Sequence, residues 1–247
     1  DSTLYHDQRA LNYYLITNDS TKIAEAHQRV SSGYSDQNKY QEAQQHTFKA
    51  IAIYEYLEDA ESLAYSYNSL SYIYNDLGAY SDAVKYANQA ITIYEQLERP
   101  IDLAIALFYI VPAHIELQEL DIALERANFS IQLIEENYTE EAIYTLARAY
   151  TSRGNVYKAM KKYDRALADH LYVLELVNKN SNQQEPNGYE EGVAGIYFLK
   201  ENYKQAIPYY EAFINHANSR GLSGDIWQAK ANLAICYEKT GDLEKAF

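Results

Sequence analysis

Six histidines and a single cysteine are the side chains here best suited to nucleophilic, acid–base or metal chemistry: His6, His27, His46, His114, His170, His216 and Cys236. They are scattered. No two histidines stand four apart, and none stands at a zinc-ligand spacing from Cys236. Cys236 falls on a predicted helix whose register offers it no histidine, so a buried inert thiol is expected in preference to a nucleophile. The acidic pairs Glu135-Glu136, Glu140-Glu141 and Glu190-Glu191 sit at predicted helix ends, where solvation and the helix dipole account for them. No glycine-rich phosphate loop is present. Asn-x-Ser/Thr triplets at Asn18, Asn128 and Asn137 match a glycosylation pattern that also arises by chance. No cofactor, metal or catalytic residue is expected, and the chain reads as a non-enzyme.

Holding a ligand is a different chemistry, and residues for it are present. Asn68 and Asn75 could pair with peptide backbone, Tyr72 and Phe108 could give flat apolar contact, and Asp36 and Asp76 would favour a positive ligand end. Gln28, Tyr65, Asn155 and Lys158 complete the candidate set. The same ten side chains also read as ordinary solvated surface if the helix register lies one step away. They act together only if successive helices show them on one face, so the helices come next.

A short unit returns about every forty residues: an aromatic or Leu, two variable positions, then Ala. It reads Tyr40–Ala43, Tyr80–Ala83, Leu120–Ala123, Tyr163–Ala166, Tyr203–Ala206 and Leu243–Ala246, with the alanines 40, 40, 43, 40 and 40 apart. A period in this range signals stacked helical repeats. Within one unit, Ala64, Tyr67, Leu70, Ser71 and Tyr74 recur at helical spacing and Gly78 interrupts them as a left-handed cap. Ala83, Ala87, Ala90, Ile91, Tyr94 and Leu97 form a second apolar face, and Glu98-Arg99-Pro100 closes the unit.

This predicts an all-α, right-handed superhelical solenoid of stacked antiparallel hairpins, read as a single array over 1–247. The hairpins fall at about 20–58, 60–98, 101–138, 140–178 and 187–218, with a partial unit at 1–19 and a truncated one at 225–247. Their turns are expected at Gln37-Asn38-Lys39, Gly78, Gln118-Glu119, Met160-Lys161-Lys162, Lys200-Glu201-Asn202 and Thr240-Gly241. Both chain ends fall inside the repeat, so further units or flanking helices are expected, with self-association through the array ends as a second possibility. Lys179 to Gly188, with Pro186, reads as a loop inside the array. Pro112 and Pro208 lie within predicted helices, as tolerated bends or, at Pro112, as local reshaping of a groove. The 27 tyrosines fall largely at core positions such as Tyr34, Tyr74, Tyr157, Tyr197 and Tyr237.

Bulk numbers bound the partners. The 247 residues carry a formal charge of -14, from 35 acidic and 21 basic side chains. That field repels phosphate backbones, so nucleic acid is not expected as a partner, whereas a basic peptide would be attracted. No run of about 18 apolar residues exists, so no membrane insertion by this segment is expected. One cysteine leaves the compartment open; a cytoplasmic location is weighted slightly over a periplasmic one.

The hairpin resembles the tetratricopeptide repeat. The match is clearest where Tyr67, Leu70, Ser71, Tyr74, Gly78, Tyr80, Ala83 and Ala90 stand, and again at Tyr150, Gly154, Tyr157, Tyr163 and Ala166, with Arg153 departing from it. His114 and Glu190 replace aromatics in weaker units. Units of about forty residues also suit the HEAT or armadillo class, but the Tyr-x-x-Ala opening and the turn glycine favour the first family. The long unit is similar to that of bacterial sensor kinases, maltose-regulator-type transcription activators and quorum-sensing peptide receptors, with Leu57 to Ala64 like their junctions. The resemblance implies a non-catalytic protein- or peptide-binding sensory module of a larger signalling protein, with a structural scaffold or self-associating adaptor as the alternative.

Overall fold

The computed structural model describes residues 2–137, 139, 142–180, 188–219 and 226–246. Glu140-Glu141, Tyr138 of the third Asn-x-Thr triplet, Pro186 and the expected start of the last unit near Asp225 lie outside them. The described residues form thirteen α-helices and no strand. None of these helices is long and apolar enough to cross a membrane. Contacts divide the chain into two compact units, 1–137 and 138–247.

The first unit holds α1 (Ser2–Thr17), α2 (Ser20–Ser35), α3 (Tyr40–Leu57), α4 (Ala60–Asp76), α5 (Tyr80–Gln96), α6 (Pro100–Glu116) and α7 (Leu120–Glu136). Helices α2 and α3, α4 and α5, and α6 and α7 pack as hairpins, and each hairpin stacks on the next through α3 against α4 and α5 against α6. The second holds α8 (Ile143–Ala159), α9 (Tyr163–Asn180), α10 (Glu190–Leu199), α11 (Tyr203–Ser219), α12 (Trp227–Thr240) and the single turn α13 (Leu243–Ala246). Its pairs α8 with α9, α10 with α11 and α12 with α13 stack in the same way.

One local device makes the turns. Asn38, Gly78, Gln118, Lys161, Glu201 and Gly241 all adopt positive φ, and the next residue donates its N–H five residues back. Ala79 donates to the Tyr74 carbonyl at 2.9 Å, Lys162 to Tyr157 at 2.8 Å and Asp242 to Tyr237 at 2.9 Å. This left-handed cap satisfies carbonyls that the helix end would otherwise leave unpaired. Starts are fixed as well. The Asp19 and Asp59 carboxylates accept from the Lys22 and Ser62 N–H groups, both at 3.1 Å, and Pro100 takes the first position of α6. Helices α6 and α11 continue through Pro112 and Pro208, whose rings are exposed.

The repeated alanines are the seam. Ala43, Ala83, Ala123, Ala166 and Ala206 open the second helices with no exposed surface, so paired helices approach closely. Four residues further on, Thr47, Ala87, Ala127, His170 and Tyr210 each correspond to a first-helix residue 16 positions earlier: Ser31, Ser71, Val111, Gly154 and Ala194. In the first unit these counterparts are Ser with Thr, Ser with Ala and Val with Ala. In the second unit a large ring faces glycine or alanine, and this exchange of volume shapes its groove.

Candidate ligand-binding groove

A concavity lies in the second unit, a groove of about 540 Å³. Helix α8 contributes Thr151, Asn155 and Lys158 to it. Glu191, Gly192, Gly195 and Phe198 of α10 form the opposite side, with Gly188 and Tyr189 just before that helix. His170 of α9 and Tyr210 of α11 reach it from the second helices, and Asn232 of α12 closes one end. Among the described residues α10 is a short first helix: Glu190 is only 13 residues ahead of Tyr203, whereas α4 opens at Ala60, 20 ahead of Tyr80.

His170 is the buried polar group of the groove. The side chain is 2 % exposed, and its Nε2 has no partner among the described residues. Two glycines make room for the ring. A methyl added at Gly154 would fall 2.9 Å from Nε2, and one at Gly192 would fall 2.5 Å from Nδ1. Burial, with Lys158 nearby, pushes the imidazole down to about 4, so it is neutral at pH 7. Tyr210 accepts a hydrogen bond from the Asn232 amide at 3.1 Å. The next-door α8–α9 contact is rigid: Arg153 donates twice to Asp169, at 2.9 and 2.7 Å, while its guanidinium lies 4.8 Å over Tyr150.

Of the ten candidates from the sequence, Asn155 and Lys158 line this groove. The other eight belong to the first unit. Tyr72, Asn75, Asp76 and Phe108 gather where α4 meets α6: the Asn75 amide donates to the Tyr109 carbonyl at 3.2 Å, and Tyr72 meets the Tyr109 ring edge-on at 6.2 Å. Burial and the neighbouring Asp76 carboxylate raise the Tyr72 hydroxyl above its ordinary range. Tyr65 and Tyr72 are exposed on α4, and Asp76 is exposed at its end. Asn68 and Phe108 are buried, at 7 % and 5 % exposure, so they show a ligand little surface. The Asn68 Oδ1 is nevertheless unpartnered. Gln28 is a clamp between hairpins: its amide donates to Ser66 at 2.9 Å and accepts from Tyr54 at 3.0 Å. Asp36 caps α2 and is exposed.

Sequence reasoning missed His170, Glu191 and the glycines facing them. The readable signal was a histidine at a second-helix position where Thr47, Ala87 and Ala127 stand elsewhere, with Gly154 as its counterpart. It also missed the pairing of His27 with His46 across α2 and α3, Nδ1 to Nδ1 at 2.9 Å, since the two lie 19 apart in sequence. Among the described residues no group of three or more His, Cys, Asp or Glu side chains could hold a metal ion. Cys236 is buried, and burial pushes its thiol up to about 11.

Two stretches, residues 63–98 and 147–169, match family models described as tetratricopeptide repeat. They coincide with hairpin α4–α5 and with the α8–α9 crossing. The fold is a tetratricopeptide-type repeat solenoid. Solved structures agree. A Rap protein complexed with competence and sporulation factor superposes with a TM-score of 0.72 at 18% identity, covering 96% of this chain and 76% of that one. Aspartyl phosphate phosphatase F from Bacillus subtilis gives 0.71 at 19% identity, over 97% of this chain and 61% of the other. A signal transduction ATPase with numerous domains and a tetratricopeptide repeat sensor, from Pyrococcus horikoshii, gives 0.65 at 14% identity, over 92% and 35%. Identities this low establish the shared fold alone. No curated protein matches the chain in sequence.

Proposed function

We propose that this chain is a non-catalytic peptide- or protein-binding module that serves as the sensory or regulatory part of a larger signalling protein. The groove of the second unit carries the reading. It is open, it is walled by first helices, and Asn155, Lys158 and Glu191 in it have no hydrogen-bond or ion-pair partner among the described residues. A concave site with a few convergent polar groups is the general form of a ligand site. The Rap protein solved with its factor and the ATPase with a repeat sensor support the assignment by likeness of fold. The α4–α6 face, with Tyr65, Tyr72 and Asp76 exposed and Asn68, Asn75 and Phe108 behind them, is proposed as a second contact surface, with Gln28 and Asp36 at its edge.

Affinity capture tests the reading. The wild-type chain should retain a partner that an Asn155→Ala/Lys158→Ala double variant of equal helicity releases. Equal retention by both would remove the groove from the function. The sensory assignment further expects a coiled coil, a kinase domain or a DNA-binding helix pair in the same polypeptide, and a stand-alone chain would overturn that part.

The alternative is a scaffold that self-associates. Ile16 and Tyr56, 83 % and 81 % exposed in the first unit, are the side chains that favour it. Light scattering over a hundredfold concentration range should then show mass rising with concentration; a constant monomer mass excludes it.

A further inference from the structure

Two opposite charges face one groove without meeting. Lys158 enters from α8 and Glu191 from α10, and they form no ion pair with each other. Both side chains are exposed, and partial burial against the groove walls nevertheless holds the Glu191 carboxyl above its ordinary range, an effect the Lys158 ammonium offsets only in part. A carboxylate in that state gains from a cation brought between the walls, and Lys158 gains from an anion.

The space between them suits a main chain. A methyl added at Gly195 would meet nothing within 4 Å, so at that point the α10 wall is bare backbone beside open room. His170 stands behind this wall, 98 % buried, and its Nε2 has no partner among the described residues. The volume of about 540 Å³ is that of a small-ligand site, which runs from about 300 to 1,000 Å³.

We propose that this groove binds a short zwitterionic ligand, a peptide of about three residues with both ends unblocked, its ammonium at Glu191 and its carboxylate at Lys158 and Asn155. The proposal rests on the reading of the chain as a ligand-binding module and narrows it. The ligand is engaged by its two charged ends, not as the interior of a longer polypeptide.

The whole chain is titrated with a randomised tripeptide pool in four forms: free, N-acetylated, C-amidated and blocked at both ends. Thermal shift and saturation-transfer NMR report binding. The free pool should raise the melting temperature, and either block should weaken binding at least tenfold. Glu191→Gln should erase the penalty for acetylation alone, and Lys158→Gln the penalty for amidation alone. Gly195→Leu, whose side chain enters open space, should abolish binding with helicity unchanged. If the doubly blocked pool binds as well as the free one, the end-directed site is overturned while a peptide-binding module stands. If no pool binds, the proposal is overturned, and the module reading is decided separately by the capture experiment.

Discussion

His170 shows how one side chain is placed by residues far from it in sequence. Its ring occupies the gap that Gly154 on α8 and Gly192 on α10 leave open, and it is neutral because burial holds it near 4. Unfolded, it titrates near 6.5. Between these values the unfolded chain binds more protons than the folded one, so this contribution to stability is complete above pH 6.5 and is lost as pH falls towards 4. The loss is on the order of 2 to 3 kcal/mol. Urea melts of wild type and His170→Gln between pH 7.5 and 4.5 check it: the wild type should weaken by about that amount more than the variant. His27, also held near 4 by burial and by His46, adds a second loss of the same sign in the first unit. Arg153 departs from the pattern of the family that the hairpin resembles, and the structure accounts for it through its two-point contact with the buried Asp169. Arg153→Ala should cost about 3 kcal/mol, because it strands that carboxylate without a partner. A matching melt of Asp169→Asn, which removes the charge and keeps the size, should show a smaller loss.

At the scale of the elements, the caps decide where helices stop. Seven described residues other than glycine hold positive φ, among them Gln118, Lys161 and Glu201 at hairpin turns that Gly78 and Gly241 make with glycine. A side chain in that region costs about 1 kcal/mol. Lys161→Gly should therefore stabilise the second unit by about 0.5 to 1 kcal/mol, and Gly78→Ala should destabilise the first by about 1 kcal/mol, both read as shifts of denaturation midpoint. The stops at Gly78 and Gly241 were legible in the sequence because glycine is the residue that the conformation favours. At Lys161 or Glu201 only the repeat register marks the turn, since neither residue is a turn former. The shortened α10 was legible only as a polar stretch ending at Gly188. That a groove lies beside it depends on what stands behind α10, which is His170.

At the scale of the molecule, a net charge of -14 on 247 residues works against compaction. Raising salt from about 10 mM to about 300 mM shortens the screening length from about 30 Å to about 6 Å and should raise the melting temperature by several degrees. A melting temperature that falls with salt would mean that ion pairs such as Arg99 with Glu61, at 2.7 Å, outweigh the repulsion. Because hairpins contact mainly their neighbours, the stretch 1–137 expressed alone should fold to a helical, cooperatively melting domain.

What the residues along the chain determine by themselves is the hairpin. Periodic apolar positions, small residues at the Tyr-x-x-Ala openings and left-handed turns are local patterns, and local patterns follow from the order of residues. What only the tertiary structure decided is which side chains look outward. Asn68 and Phe108 were candidates by register, yet packing between α4 and α6 buries both. Lys158, His170 and Glu191 come from three helices and 34 residues of chain, and they share a groove in which two glycines leave room for the His170 ring. Exposure is set by the neighbour that packs against a helix face, and that neighbour is chosen by the stacking of whole hairpins.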